Sequence, residues 1–257
     1  MWDTLQLYLL VCPLIFLGGF IDSVAGGGGL ITLPAYLMAG LPTHMAMGTN
    51  KIVNIIGTGT AAVRYIRSGK IHMQIAAIAA VCALVGSAIG ARIALLIPED
   101  VLKILMLIAL PVVAAVLALK KDFGGESPVP SKARPSVYKS AAAGWIGLIF
   151  GCYDGLVGPG SGTFMIMAFT LVLSMDLITA SGCAKVGNLA ANAASAVVFL
   201  LNGKVFWALV VPAALCNALG GYCGARYAIR GGSGKIRGMI FLVLGLMFFK
   251  MLWGLRT

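Results

Sequence analysis

The chain has 257 residues, of which 60% are hydrophobic and 11% charged, with a formal net charge of +11. That balance excludes an ordinary soluble domain, whose core cannot absorb so much apolar surface, and it predicts an all-α, polytopic membrane protein. The basic residues sit mainly in short connectors between apolar stretches rather than on one face, which argues for a bilayer and against nucleic acid as the partner.

Uncharged apolar segments recur near 4–21, 28–41, 45–66, 72–97 and 101–119, and again near 140–154, 161–175, 179–201, 205–228 and 238–255. A helix of about 20 such residues crosses the hydrocarbon layer. Between the two sets, Lys120 to Lys139 is rich in charge, Pro, Gly and Ser, the composition of an exposed linker. The expected organisation is a first membrane repeat at 1–121, a cytoplasmic linker at 122–138 and a second membrane repeat at 139–257. No basic n-region precedes the first segment, which argues against a cleaved signal peptide.

The first segment runs into "FIDSVAGGGGLITLP", Phe20 to Pro34, where Asp22 and four glycines interrupt an apolar stretch. The segment that follows would span only about 21 Å as a helix, so its start is expected inside the membrane. Glycines let the backbone turn and leave N–H groups free at the start of the next helix, a suitable site for an anion. Gly27, Gly28 and Gly29 are therefore candidate ligand contacts, with close packing through small residues as the bland alternative. The third segment opens with "GTNKIVN", where Lys51 and Asn54 share a helix face. Lys51 either reaches an anion or snorkels to water, and Thr49 and Asn50 stand beside it.

The second set of segments repeats the first. An offset of 134 residues carries Lys51 and Asn54 onto Lys185 and Asn188, Gly69-Lys70 onto Gly203-Lys204, and "GSAIGAR" onto "GGYCGAR". Nearer the N-terminus an offset of 132 pairs Asp22 with Asp154 and Gly26 and Gly28 with Gly158 and Gly160. Gly160, Ser161 and Gly162 become the matching candidates, although Pro159 and Ser161 replace Gly27 and Gly29 and make the second half-site different. Asp22 and Asp154 are read either as braces of the broken helix or as proton carriers. Arg92 and Arg226, beyond the two Gly-x-x-x-Gly motifs, meet headgroups or serve coupling.

Basic residues cluster at Arg64, Arg67 and Lys70, in the central linker, and from Arg226 to Arg237, whereas none precedes Lys51. By the excess of Lys and Arg on the cytoplasmic side, the N-terminus is expected outside and the linker inside. Corresponding connectors then face opposite sides, as in inverted repeats of five segments each, a plan recurrent in secondary transporters. Ten segments are expected, eight or ten of them fully spanning, with broken or re-entrant helices at the glycine motifs. Six cysteines lie singly without metal or disulfide spacing, and His44 and His72 are isolated. No catalytic centre, metal site or cofactor motif is legible.

The stretch "GFIDSVAGGGGLITLPAYLMAGLPTHMAMGTNK", Gly19 to Lys51, with "RSGKI", Arg67 to Ile71, resembles the TauE/SafE sulfite exporter family. The resemblance implies a transporter, generally an exporter, of sulfite or related sulfonates in the bacterial cytoplasmic (inner) membrane. The repeated motifs, taken with that substrate class, point to a small oxyanion held between the glycine loops, Lys51, Lys185, Asn54 and Asn188, with protons as the candidate coupling ion. An anion channel and, more remotely, a membrane-embedded enzyme are the rival classes.

Overall fold

The computed structural model of the chain describes residues 4–102, 104–105 and 136–254, and the side chains of all of these but 4–6, 233–237 and 239–254. The segment expected at 101–119 and the linker at 122–138 fall almost wholly outside those residues. Among the described residues the chain is helical throughout, as a polytopic membrane protein requires, because in lipid each helix satisfies its own backbone. The helices are α1 (Thr4–Ala25), α2 (Gly29–Met38), α3 (Thr43–Arg67), α4 (Met73–Leu96), α5 (Val137–Leu156), α6 (Ser161–Leu173), α7 (Leu177–Leu201) and α8 (Trp207–Gly254). Helix α8 is broken at Gly232, whose φ of 73° is outside the helical range.

Four of these stretches are long and apolar enough to cross a membrane: Leu7–Ala25, Met73–Leu96, Leu177–Leu201 and Trp207–Gly232. Helices α2 and α6 have 10 and 13 residues, about 15 and 20 Å of rise, too short to span. Each follows a glycine with positive φ, Gly26 at 79° and Gly158 at 95°. The Gly26 N–H donates to the Asp22 carbonyl at 2.7 Å, and the Gly158 N–H to that of Tyr153 at 3.2 Å. Glycine thus caps the preceding helix in the left-handed conformation that other residues resist. Helix α7 starts on Asp176, whose carboxylate accepts from Ile178 N and Thr179 N at 3.0 Å each.

The packing does not follow the order of the chain. The most extensive contacts join α4 to α5 and α7, and α1 and α3 to α8. Two bundles result: one of α1, α2 and α3 completed by α8, the other of α5, α6 and α7 completed by α4. Each sequence half lends its fourth helix to the other. Small residues make these contacts close, as they do in membranes where lipid already solvates apolar side chains. A Cβ on Gly86 or Gly90 of α4 would overlap the Leu148 or Cys152 carbonyl oxygen of α5, and a Cβ on Gly220 or Gly224 of α8 would overlap that of Phe16 or Phe20 of α1. All four contacts map onto one another by the offsets of the sequence repeat.

The same exchange recurs at the helix starts, where Gly48 of α3 abuts the Lys204 carbonyl and Gly182 of α7 abuts that of Lys70. Large apolar side chains instead face outward from α1, α4, α5 and α8, among them Leu9, Leu84, Val85, Ile149, Val211 and Leu215. Such a surface suits lipid. The bundles meet along α3 and α7 and at the two glycine turns, and the functional residues gather at that seam.

Gly90→Leu is expected to abolish the monodisperse elution of purified protein, because its side chain has only the α5 backbone to enter. Gly59→Ala, whose Cβ meets only Leu189 Cδ1 at 3.6 Å, should leave the elution profile unchanged.

Candidate functional site

Burying an ammonium or a carboxylate in a membrane bundle is costly unless a partner or a wet cavity satisfies it. Four such groups lie at the seam, and they pair reciprocally. Lys51 Nζ of α3 lies 2.6 Å from Asp154 Oδ2 of α5, and Lys185 Nζ of α7 lies 2.8 Å from Asp22 Oδ2 of α1. Each pair crosses from one bundle to the other. The lysine side chains are 3% and 0% exposed, so neither snorkels to water.

The two pairs differ in strength of hold. Lys51 also donates to the Asp154 carbonyl oxygen at 2.6 Å, and Ser161 Oγ donates to Asp154 Oδ1 at 2.6 Å. Asp154 is therefore held on both carboxylate oxygens and is almost fully buried. Asp22 receives only Lys185 among the described residues, and its side chain is 22% exposed. The cause is local: Ser161 stands where the first half has Gly29, which has no hydroxyl to offer. The Asp22 carboxylate does not bond the glycine turn: it accepts from Lys185, and only the Asp22 backbone carbonyl meets the Gly26 N–H, in an ordinary helical bond.

Between the pairs lies a cavity of about 20 Å³, lined by Asp22, Gly26, Gly29, Asn50, Lys51, Asn54, Asp154, Gly158, Ser161, Asn188 and Asn192. That volume holds about one water and no oxyanion of sulfite size. The amide oxygens of Asn50, Asn188 and Asn192 are buried there without hydrogen-bond partners. Unsatisfied polar groups are costly and each asks for a ligand; an amide that turns over offers its NH₂ in place of its oxygen. The Gly27, Gly28 and Gly160 N–H groups find no acceptor among the described residues.

The glycine turns themselves touch. A Cβ on Gly26 would overlap the Gly162 backbone, Thr163 Oγ1 donates to the Ala25 carbonyl at 2.7 Å, and a Cβ on Gly29 would lie 3.2 Å from Pro159 Cα. Gly162 forms part of this contact, and neither it nor Gly27, Gly28 or Gly160 is in the cavity lining. Thr49 is turned away as well, its hydroxyl accepting from the Phe206 N–H at 2.9 Å. Asn54 accepts from Asn217 Nδ2 at 2.8 Å. Arg92 and Arg226 are exposed and lie away from the cavity.

Gly26 and Gly158 line the cavity although only their neighbours were named as contacts, and two amides escaped the sequence reading. Asn192 lies one turn beyond Asn188 on α7, a spacing that could have drawn notice, but its repeat counterpart is Thr58, so the repeat did not point to it. Asn217 stands where the first half has Ala83; a lone amide in an apolar helix was the available signal. The reciprocity of the pairs was also unseen, although two buried acids and two buried lysines at repeat-related positions imply it.

Comparisons with known proteins identify the family. The pattern of the family described as Sulfite exporter TauE/SafE matches residues 11–251. The chain is 34% identical over 89% of its length to a protein of Sinorhizobium sp named "Probable membrane transporter protein ORF9", covering 85% of that protein. It is 31% identical over 98% of its length to "Probable membrane transporter protein YfcA" of Escherichia coli, strain K12, covering 94% of it. A Bacillus subtilis relative, "Probable membrane transporter protein YdhB", is 26% identical over 85% of this chain and 89% of its own. No solved structure matches.

Removing one partner of a buried pair leaves an uncompensated charge, at a cost of about 3–5 kcal/mol, whereas removing both costs far less. Lys51→Met alone should lower thermal stability markedly in detergent, and adding Asp154→Asn should restore most of it. Additive losses in this double-mutant cycle would contradict the pairing.

Proposed function

The chain belongs to the TauE/SafE family of membrane transporters and is not an enzyme, and from that premise we propose that it is a secondary active carrier exporting sulfite or a related sulfonate across the bacterial cytoplasmic membrane. The observation that carries this reading is the pair of buried lysines at the seam, each held by a carboxylate that an oxyanion can replace. An incoming anion competes with Asp22 for Lys185, the pair with fewer bonds. It finds further donors in the Asn50 and Asn188 amides, once turned to present their NH₂ groups, and in the Gly29 N–H at the start of α2. Charge-assisted bonds of this kind are roughly twice as strong as neutral ones.

In this proposal the ion pairs both shape the site and lock it. With two ammonium and two carboxylate groups the seam is neutral, so an anion cannot simply add to it; a carboxylate must leave its lysine. A proton taken by the displaced Asp22 would keep the seam neutral and couple anion movement to proton movement. The two bundles, rather than the two sequence halves, are then the rigid bodies, because each half is divided between them. Rocking one bundle on the other would open the seam to alternate sides. The N-terminus would lie outside and the linker inside, the two repeats being inverted.

The small cavity closed by ion pairs favours a carrier over a channel, because a conducting pore needs a continuous path. Counterflow of labelled sulfite, sulfoacetate, taurine and thiosulfate into proteoliposomes tests both substrate and mechanism. At least one of these anions should show saturable counterflow, reduced about tenfold or more in Lys185→Ala. Unchanged affinity in both Lys185→Ala and Lys51→Ala would remove the proposed site, and non-saturable flux would indicate a channel.

A further inference from the structure

A second cavity, of about 600 Å³, opens between the end of α3 and the part of α8 that precedes Gly232. Arg64, Arg67, Arg226 and Arg230 line it, and no carboxylate does among the described residues. None of these arginines enters the ion pairs formed by the described residues. The Arg64 guanidinium lies 4.1 Å from the centroid of the Tyr222 ring. Stacking of this kind fixes the plane of the guanidinium while leaving its N–H groups free to donate at their edges.

Four like charges facing one cavity repel one another unless an anion joins them. Orientation by basic residues needs positive charge near the ends of spans, but it does not require four guanidinium groups around a single cavity. The repeat supplies an internal comparison: the counterparts of Arg64, Arg67 and Arg230 are Val198, Leu201 and Leu96, and only Arg226 has a basic counterpart, Arg92. The cluster therefore belongs to one end of one bundle and is not imposed by the fold. Val63 and Ile229 form apolar walls beside the arginines, and Val63 and Tyr222 are 47% and 45% exposed. The cavity thus combines cationic donors with an apolar rim that faces outward.

We propose that this cavity binds a phosphate-type oxyanion headgroup, supplied by an anionic phospholipid whose acyl chains lie along the Val63 and Tyr222 rim. Arginine forks recognise phosphate oxygens in pairs, and basic clefts between membrane helices suit such headgroups. The site is separate from the seam: along α3, Arg64 lies ten residues beyond Asn54, about 15 Å of helix rise.

The test is binding of fluorescent phosphatidylglycerol to the full-length protein purified in a neutral detergent, with inorganic phosphate as a soluble competitor. Binding should be saturable, and R67Q/R226Q/R230Q should weaken it about tenfold or more, whereas R92Q should leave it unchanged. If the triple variant is not monodisperse, the exposed Arg67→Gln alone should weaken binding about threefold. Lipid binding that phosphate fails to displace assigns the headgroup to a lipid. Saturable phosphate binding that lipid fails to displace overturns the lipid source and leaves the oxyanion site standing. Absence of saturable binding of either probe, or equal binding by the arginine variants, overturns the site itself.

Discussion

Everything at the centre of this protein depends on two lysines buried where a charge cannot stand alone. Lys51 and Lys185 occupy equivalent places in the two repeats, and each is neutralised by an aspartate from the opposite bundle. Because the pairs cross the seam, the bundles cannot separate without exposing or re-pairing four charges. An isolated charge costs several kcal/mol there, so under the proposed mechanism the seam would open only when another group completes one of the lysines. An oxyanion is such a group. The same interaction that holds the closed structure thus sets the requirement for opening it.

The exchange of fourth helices ties each bundle together. Helix α4 packs backbone to backbone on α5 through Gly86 and Gly90, and α8 does the same on α1 through Gly220 and Gly224. The contact between the bundles runs along α3 and α7 and at the glycine turns, and in the proposed mechanism it is there that movement would occur. The short helices α2 and α6 begin at these turns and are too short to cross the bilayer. Their starts, Gly29 and Ser161, line the same cavity as Lys51, an arrangement that suits the proposed anion path.

Much of this was legible from residues alone, because hydropathy and repetition are local properties of a chain. Among the described residues the apolar segments match the helices closely, the glycine interruptions coincide with positive φ at Gly26 and Gly158, and of the two readings left open for Lys51 the structure takes burial. Partnership was not legible. Lys51 and Asp154 are 103 residues apart and Lys185 and Asp22 are 163 apart, and helical spacing reports only on neighbours within one helix. The helix exchange stayed hidden for the same reason: the repeat offsets show which helices correspond, not which helices touch. Asymmetry was only half visible. Ser161 in place of Gly29 was noticed as a hydroxyl for a ligand, whereas in the closed structure that hydroxyl holds Asp154.

The most direct test of the account is a reversible covalent tie across the seam. Ala25 and Thr163, joined by a 2.7 Å hydrogen bond, can be replaced by cysteines in a protein whose six native cysteines have been removed. Anion counterflow in proteoliposomes is then measured after oxidation and again after reduction. If the bundles must part for transport, oxidation stops counterflow and reduction restores it. Counterflow that continues undiminished in fully cross-linked protein would contradict the claim that the seam is what opens.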